Sequence, residues 1–225
     1  MSRLLAAGAA AALLLCPPAV AGAAEPVPST RGLYFQLIRQ ARADGRPRAA
    51  LAYLDDFDRR YPGDADALVL RINSLLDLGE VARAQAAVRG LPAGTGSPAV
   101  AAARGHVLAA SGDWAGAGRL YAAALRDSPA DPLLRNALGY AQLRLGQARA
   151  ASDTLRAAAD LAPGSEVIRK NLLLALTLSG RAVEVEAGLA RIGNAADRAR
   201  LRAELARQAV CIAARVSAAE GTSPC

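Results

Sequence analysis

The stretch from Pro132 to Ser165, PLLRNALGYAQLRLGQARAASDTLRAAADLAPGS, reads as two helices joined at one glycine. Ala and Leu, strong helix formers, fill both halves. Gly146 closes the first helix, because glycine takes the left-handed conformation there without steric cost. Pro163 ends the second. The small residues Gly139 and Ala151 let the two helices touch, and the larger Leu155 fills the gap between neighbouring hairpins.

The same punctuation runs through most of the chain. Gly45, Gly79, Gly112, Gly146 and Gly180 stand 34, 33, 34 and 34 residues apart. Pro62, Pro129 and Pro163 each follow one of these glycines by 17 residues. The unit before the opening one, Pro98 to Asp131, carries Gly105, Gly112, Ala117, Tyr121, Ala124 and Pro129 in register, with Trp114 opening its second helix. A period of this length means stacked hairpins that bury one continuous core. The outer units have drifted. Ile38 and Ile72 replace the small residue in the first two, Leu91-Pro92 ends the second early, and Leu173 and Val185 occupy the small positions of the fifth. Ala93-Gly94-Thr95-Gly96-Ser97 reads as a flexible linker.

This pattern resembles the tetratricopeptide repeat (TPR) family from Arg31 to about Gly193. The resemblance implies an all-α, right-handed superhelical solenoid of about five helix-turn-helix repeats, at 31–64, 65–97, 98–131, 132–165 and 166–193. Residues 194–225 then form a C-terminal helix and tail. An amphipathic helix over Ala196 to Ala218, with Leu201, Leu205, Val210 and Ile212 among its apolar positions, reads as a cap on the exposed core, or alternatively as a partner-binding helix.

Composition agrees with helices alone. The chain is 53% hydrophobic but only 4% aromatic, so Ala and Leu carry the apolar content and strand formers are sparse. The formal charge of +7 rests on arginine, with Lys170 the one lysine. These arginines are scattered near Asp and Glu along the helices and form no basic arm. That is the pattern of a solvated face, and no nucleic-acid partner is expected.

No chemistry of catalysis is legible. His106 is the sole histidine, the cysteines lack metal-ligand spacing, and no phosphate-cradling loop or nucleophile elbow occurs. Adjacent carboxylates such as Asp55-Asp56 point in different directions on a helix. A non-enzymatic protein without a metal or cofactor is expected.

The first 24 residues read as a signal peptide. Arg3 is the charged start, Leu4 to Leu15 the apolar stretch, Pro17-Pro18 a break, and Ala21-Gly22-Ala23 a small-residue approach to cleavage near Ala24. Residues 25–30 are a linker. Export to the periplasm is expected, with association with the outer membrane left open. Cys16 would anchor the chain in a membrane if lipidated, but Leu13-Leu14-Leu15 before it is a poor processing site, so its removal is favoured. The remaining Cys211 and Cys225 suit a disulfide, worth roughly 3 kcal/mol in the chain-entropy picture, or stay as two thiols.

The TPR resemblance also implies a groove lined by the first helix of each hairpin. Its ninth positions are Arg39, Asn73, His106, Tyr140 and Leu174, and one turn earlier stand Phe35, Val69, Ala102, Asn136 and Lys170. Phe35, Arg39, Asn73, His106, Asn136, Tyr140 and Lys170 together suit an extended or helical peptide with some negative charge. Each also has a plainer reading, His106 as a tolerated polar residue and Phe35 as a packing contact. The segment Ser165 to Arg181, SEVIRKNLLLALTLSGR, is similar to the TPR component of Flp (tight-adherence, Tad) pilus assembly systems. That likeness implies protein partners such as the pilus secretin or other Tad components. The alternative is a general periplasmic adaptor for cell-wall synthesis, outer-membrane assembly or cytochrome maturation.

Overall fold

The computed structural model describes residues 29–94 and 97–218. The expected signal peptide, most of the linker after it, Cys16, Cys225, and Thr95-Gly96 lie outside the described residues.

Among the described residues, ten helices pair into five hairpins. These are α1 (Thr30–Ala43) with α2 (Pro47–Arg60), α3 (Ala65–Asp77) with α4 (Val81–Val88), and α5 (Pro98–Ala110) with α6 (Trp114–Asp127). The fourth and fifth are α7 (Pro132–Arg144) with α8 (Ala148–Leu161), and α9 (Glu166–Leu178) with α10 (Ala182–Ala190). A longer helix, α11 (Ala195–Ser217), follows. Each hairpin packs on the next, and first helices touch first helices (α1 on α3, α3 on α5, α7 on α9), so they form the inner face. This is the superhelical all-α solenoid that the repeat predicts.

The turns explain the five glycines. Gly45, Gly79, Gly112, Gly146 and Gly180 all adopt positive φ, between 68° and 89°. In every case the next residue donates its N–H to the carbonyl five positions back: Arg46 to Ala41, Glu80 to Leu75, Asp113 to Leu108, Gln147 to Gln142 and Arg181 to Leu176. That bond satisfies an orphaned helix carbonyl and reverses the chain. At Gly112 a Cβ would meet nothing within 4 Å, so only the backbone forbids a side chain. Gly112→Ala is therefore expected to destabilise by about 1–2 kcal/mol, read as a lower urea midpoint with an unchanged circular-dichroism spectrum.

Side-chain caps mark where the first helices begin. Ser29, Asp64, Asp131 and Ser165 accept from backbone N–H groups at the starts of α1, α3, α7 and α9, and Asn194 does so for α11. Arginines then staple neighbouring hairpins, as in Arg31–Asp64 at 2.8 Å, Arg42–Asp77 at 2.7 Å and Arg156–Glu184 at 2.6 Å. Solvent screens part-exposed pairs like these, so they fix register between hairpins more than they stabilise the fold.

Packing inside the third and fourth hairpins depends on one close approach. A Cβ built on Gly139 would lie 2.5 Å from Leu155 Cγ, and one on Gly105 would lie 2.6 Å from Tyr121 Cε1. The fifth hairpin inverts this pair. Its large Leu173 sits on α9, and the space for it comes from Gly188 on α10, whose Cβ would meet Leu173 Cδ2 at 2.5 Å. In the second hairpin α4 stops at Val88, and Leu91 is buried with Ile72 and Val100. The Arg104 side chain holds the following turn by donating to the Pro92 and Gly94 carbonyls.

Candidate functional site

A cleft of about 470 Å³ opens on the inner face between the third and fourth hairpins. It is lined by His106 and Ala109 of α5, Trp114 and Tyr121 of α6, Asn136, Ala137 and Tyr140 of α7, Asn171 of α9 and Gln208 of α11. The helical period puts residues 136 and 140 on one face, and the neighbouring hairpins bring 106 and 171 beside them.

The ring groups set its walls. Trp114 and Tyr140 meet edge to face with centroids 5.7 Å apart, and Arg144 lies over Trp114 at 4.3 Å. His106 and Tyr121 lie 5.5 Å apart. Two polar bridges cross between hairpins, His106 Nδ1 to Asn73 Oδ1 at 3.1 Å and Asn171 Nδ2 to Asn136 Oδ1 at 2.8 Å.

Four of the groove residues expected from sequence are thus brought together: His106, Asn136 and Tyr140 line the cleft, and Asn73 holds His106. The others stand apart. Phe35 is a core residue, stacked on Phe57 at 5.1 Å with Arg31 over its ring at 4.4 Å. Arg39 is exposed beside Phe35, two hairpins away. Lys170 pairs with Glu166 at 3.2 Å and borders a separate hollow shared with Asp197, Arg200 and Glu204 at the start of α11.

Helix α11 explains that last displacement. It crosses the inner face from α10 over α9 to α7, where Val216 rests on Gly146. Leu201, Leu205 and Ile212 are buried against Leu173 to Leu176 and Leu143. The fifth groove position, Leu174, is 0% exposed as a result. Cys211 on this helix is half-buried and engaged, and its expected partner Cys225 lies outside the described residues. Sequence reasoning placed Tyr121 only as a packing residue and Trp114 only at the start of a helix, and did not single out Gln208. The signal for Tyr121 was available, since tyrosine stands where the next hairpin has Leu155.

Burial pushes His106 below its ordinary pKa, helped by the charge of Arg42 and opposed by Asp77. Neutral His106 then contributes stability that is present above about pH 6.5 and is lost as pH falls through its lowered folded value, because the unfolded chain binds the proton first. Urea midpoints are expected to fall between pH 7.5 and 5.5. His106→Gln, which removes the only histidine, should flatten that slope.

Among the described residues, no helix is long and apolar enough to cross a membrane. No curated protein matches the sequence. Several solved structures share the fold. A thermophilic TPR protein of Thermus thermophilus superposes with a TM-score of 0.65 at 24% identity, over 79% of this chain and 97% of that one. MamA of Desulfovibrio magneticus RS-1 gives 0.51 at 22% identity, over 78% and 94%. A chain of the Naa15/Naa10 assembly bound to HypK-THB gives 0.51 at 16% identity, over 72% of this chain and 24% of that one. In sequence, the tetratricopeptide repeat profile matches residues 41–107 and 108–168, more than half of the 225. With five glycine-closed hairpins stacked in phase, the chain belongs to the tetratricopeptide repeat family.

Proposed function

We propose that the protein is an exported scaffold that binds protein partners on its inner face and assists assembly of a Flp/Tad-type pilus, at or near the outer-membrane secretin. The observation that carries the binding role is the cleft at Trp114 and Tyr140, where rings and amides from several helices converge without being consumed by the core. A similar fold in the Naa15/Naa10 assembly bound to HypK-THB is a precedent for protein partners. The pilus assignment draws on the likeness of Ser165 to Arg181, and export on the signal-like first 24 residues.

The leucines before Cys16 depart from the lipid-anchored members of that pilus family. They favour a second reading, an unanchored periplasmic adaptor of another envelope complex. A photo-crosslinking residue in place of Ala137, at the cleft wall, separates the two in living cells. Crosslinks to the secretin or another Tad component are expected. Crosslinks confined to cell-wall or outer-membrane assembly proteins, with piliation intact in a deletion strain, would overturn the pilus role.

A further inference from the structure

Tyr121 holds in the third hairpin the place that Leu155 holds in the fourth, each against a glycine of the facing helix. The exchange keeps the packing and adds one hydroxyl. Tyr121 is only 3% exposed, yet it borders the cleft. Its hydroxyl donates to no described residue. Open to the cleft, that hydroxyl is available to an acceptor supplied from outside. Burial also raises the Tyr121 pKa far above the ordinary phenol value, which keeps it a donor.

The rest of the lining has the same character. His106 Nδ1 faces the Asn73 carbonyl oxygen, so it carries the hydrogen and leaves Nε2 as an acceptor. The Asn171–Asn136 bond spends one donor and one acceptor, leaving the Asn136 amide N–H groups and the Asn171 carbonyl free for a ligand. Among the described residues, no carboxylate, lysine or arginine lines the cleft. A charged residue entering it would be desolvated with no partner among the lining side chains, the nearby Arg144 being engaged on the Trp114 ring.

We infer that this cleft is the specificity pocket of the groove, and that it takes an uncharged, extended peptide segment inserting one aromatic side chain among Trp114, Tyr121 and Tyr140. The peptide backbone then accepts from the Tyr121 hydroxyl and bridges the Asn136–Asn171 pair. This rests on the groove reading above and replaces the acidic peptide expected from Arg39 and Lys170, which stand elsewhere.

Trp114 is the only tryptophan in the chain, so its fluorescence reports on this cleft alone. The probes are blocked Gly/Ser decapeptides with Tyr, Phe, Glu, Lys or Gly at the centre, titrated into the full-length protein. Saturable shifts are expected with Tyr and Phe, and binding about tenfold weaker with Glu or Lys. Tyr121→Phe should weaken the Tyr-centred peptide about three- to tenfold, the range of one neutral hydrogen bond, without moving the melting temperature. Tyr121→Leu, which reproduces the arrangement at Leu155, serves as a second folded variant and should behave alike. Equal or tighter binding of the Glu peptide, or unchanged affinity in Tyr121→Phe, overturns the inference. A Glu preference read by Trp114 would leave the groove standing and remove only its specificity. Silence from every peptide would overturn the pocket, while crosslinking at Ala137 decides the groove independently.

Discussion

Leu155→Ala is expected to destabilise the protein by about 2–5 kcal/mol, the range for emptying a filled site in a core. Leu155 is fully buried between α7, α8 and α9, and it lies directly on Gly139. The close approach gives this prediction an internal check. Gly139→Ala alone forces its new Cβ to within 2.5 Å of Leu155 Cγ, an overpacking that costs about 1–3 kcal/mol, less roughly 1 kcal/mol gained in helix propensity. In the double variant the clash is gone and the added methyl fills part of the cavity. The pair should therefore be more stable than Leu155→Ala alone, a coupling that a double-mutant cycle in urea measures directly. Additive losses would mean that the two helices do not meet at this point.

Ending the chain before Asn194 should have the other large effect. Three buried side chains of α11, Leu201, Leu205 and Ile212, cover the inner face of α9. Burying such residues is worth about 1.5–3 kcal/mol each as an upper estimate, and their loss bares Leu173 and Leu174 to water. Terminal units of a solenoid owe their solubility to such cover. The truncated chain is expected to unfold first in its fourth and fifth hairpins, bind a hydrophobic dye and self-associate on size exclusion. A truncated chain that stayed monomeric, with an unchanged melting profile, would show that α11 does not shield the array. Leu205→Ala, costing about 2–5 kcal/mol, tests the same contact without removing the helix.

Much of the fold was legible because its determinants are local. A positive-φ turn needs glycine within the turn itself, so the five turn glycines count the hairpins without knowledge of anything distant. Helix caps at Ser29, Asp64, Asp131 and Ser165, found in the structure, act just as locally, within three residues. The small-to-large pairing was half legible. It holds in the third and fourth hairpins, but the fifth reverses it, with Leu173 accommodated by Gly188 fifteen residues later.

By itself, then, the sequence determined that this chain is an array of five hairpins, and its TPR resemblance implied which helices face inward. What covers that inward face was decided only in three dimensions. Leu174 occupies a groove position by count, yet α11 folds back over it; Phe35 does likewise, yet Phe57 draws it into the core. Tyr121 looked like a packing residue, and its ring is one, but its hydroxyl emerges in a cleft shared with Asn171 and Gln208. Helical spacing fixes the side of a helix from which a residue projects. Whether water, a partner or the chain's own last helix meets it there depends on contacts far along the sequence, and a local period carries no record of those.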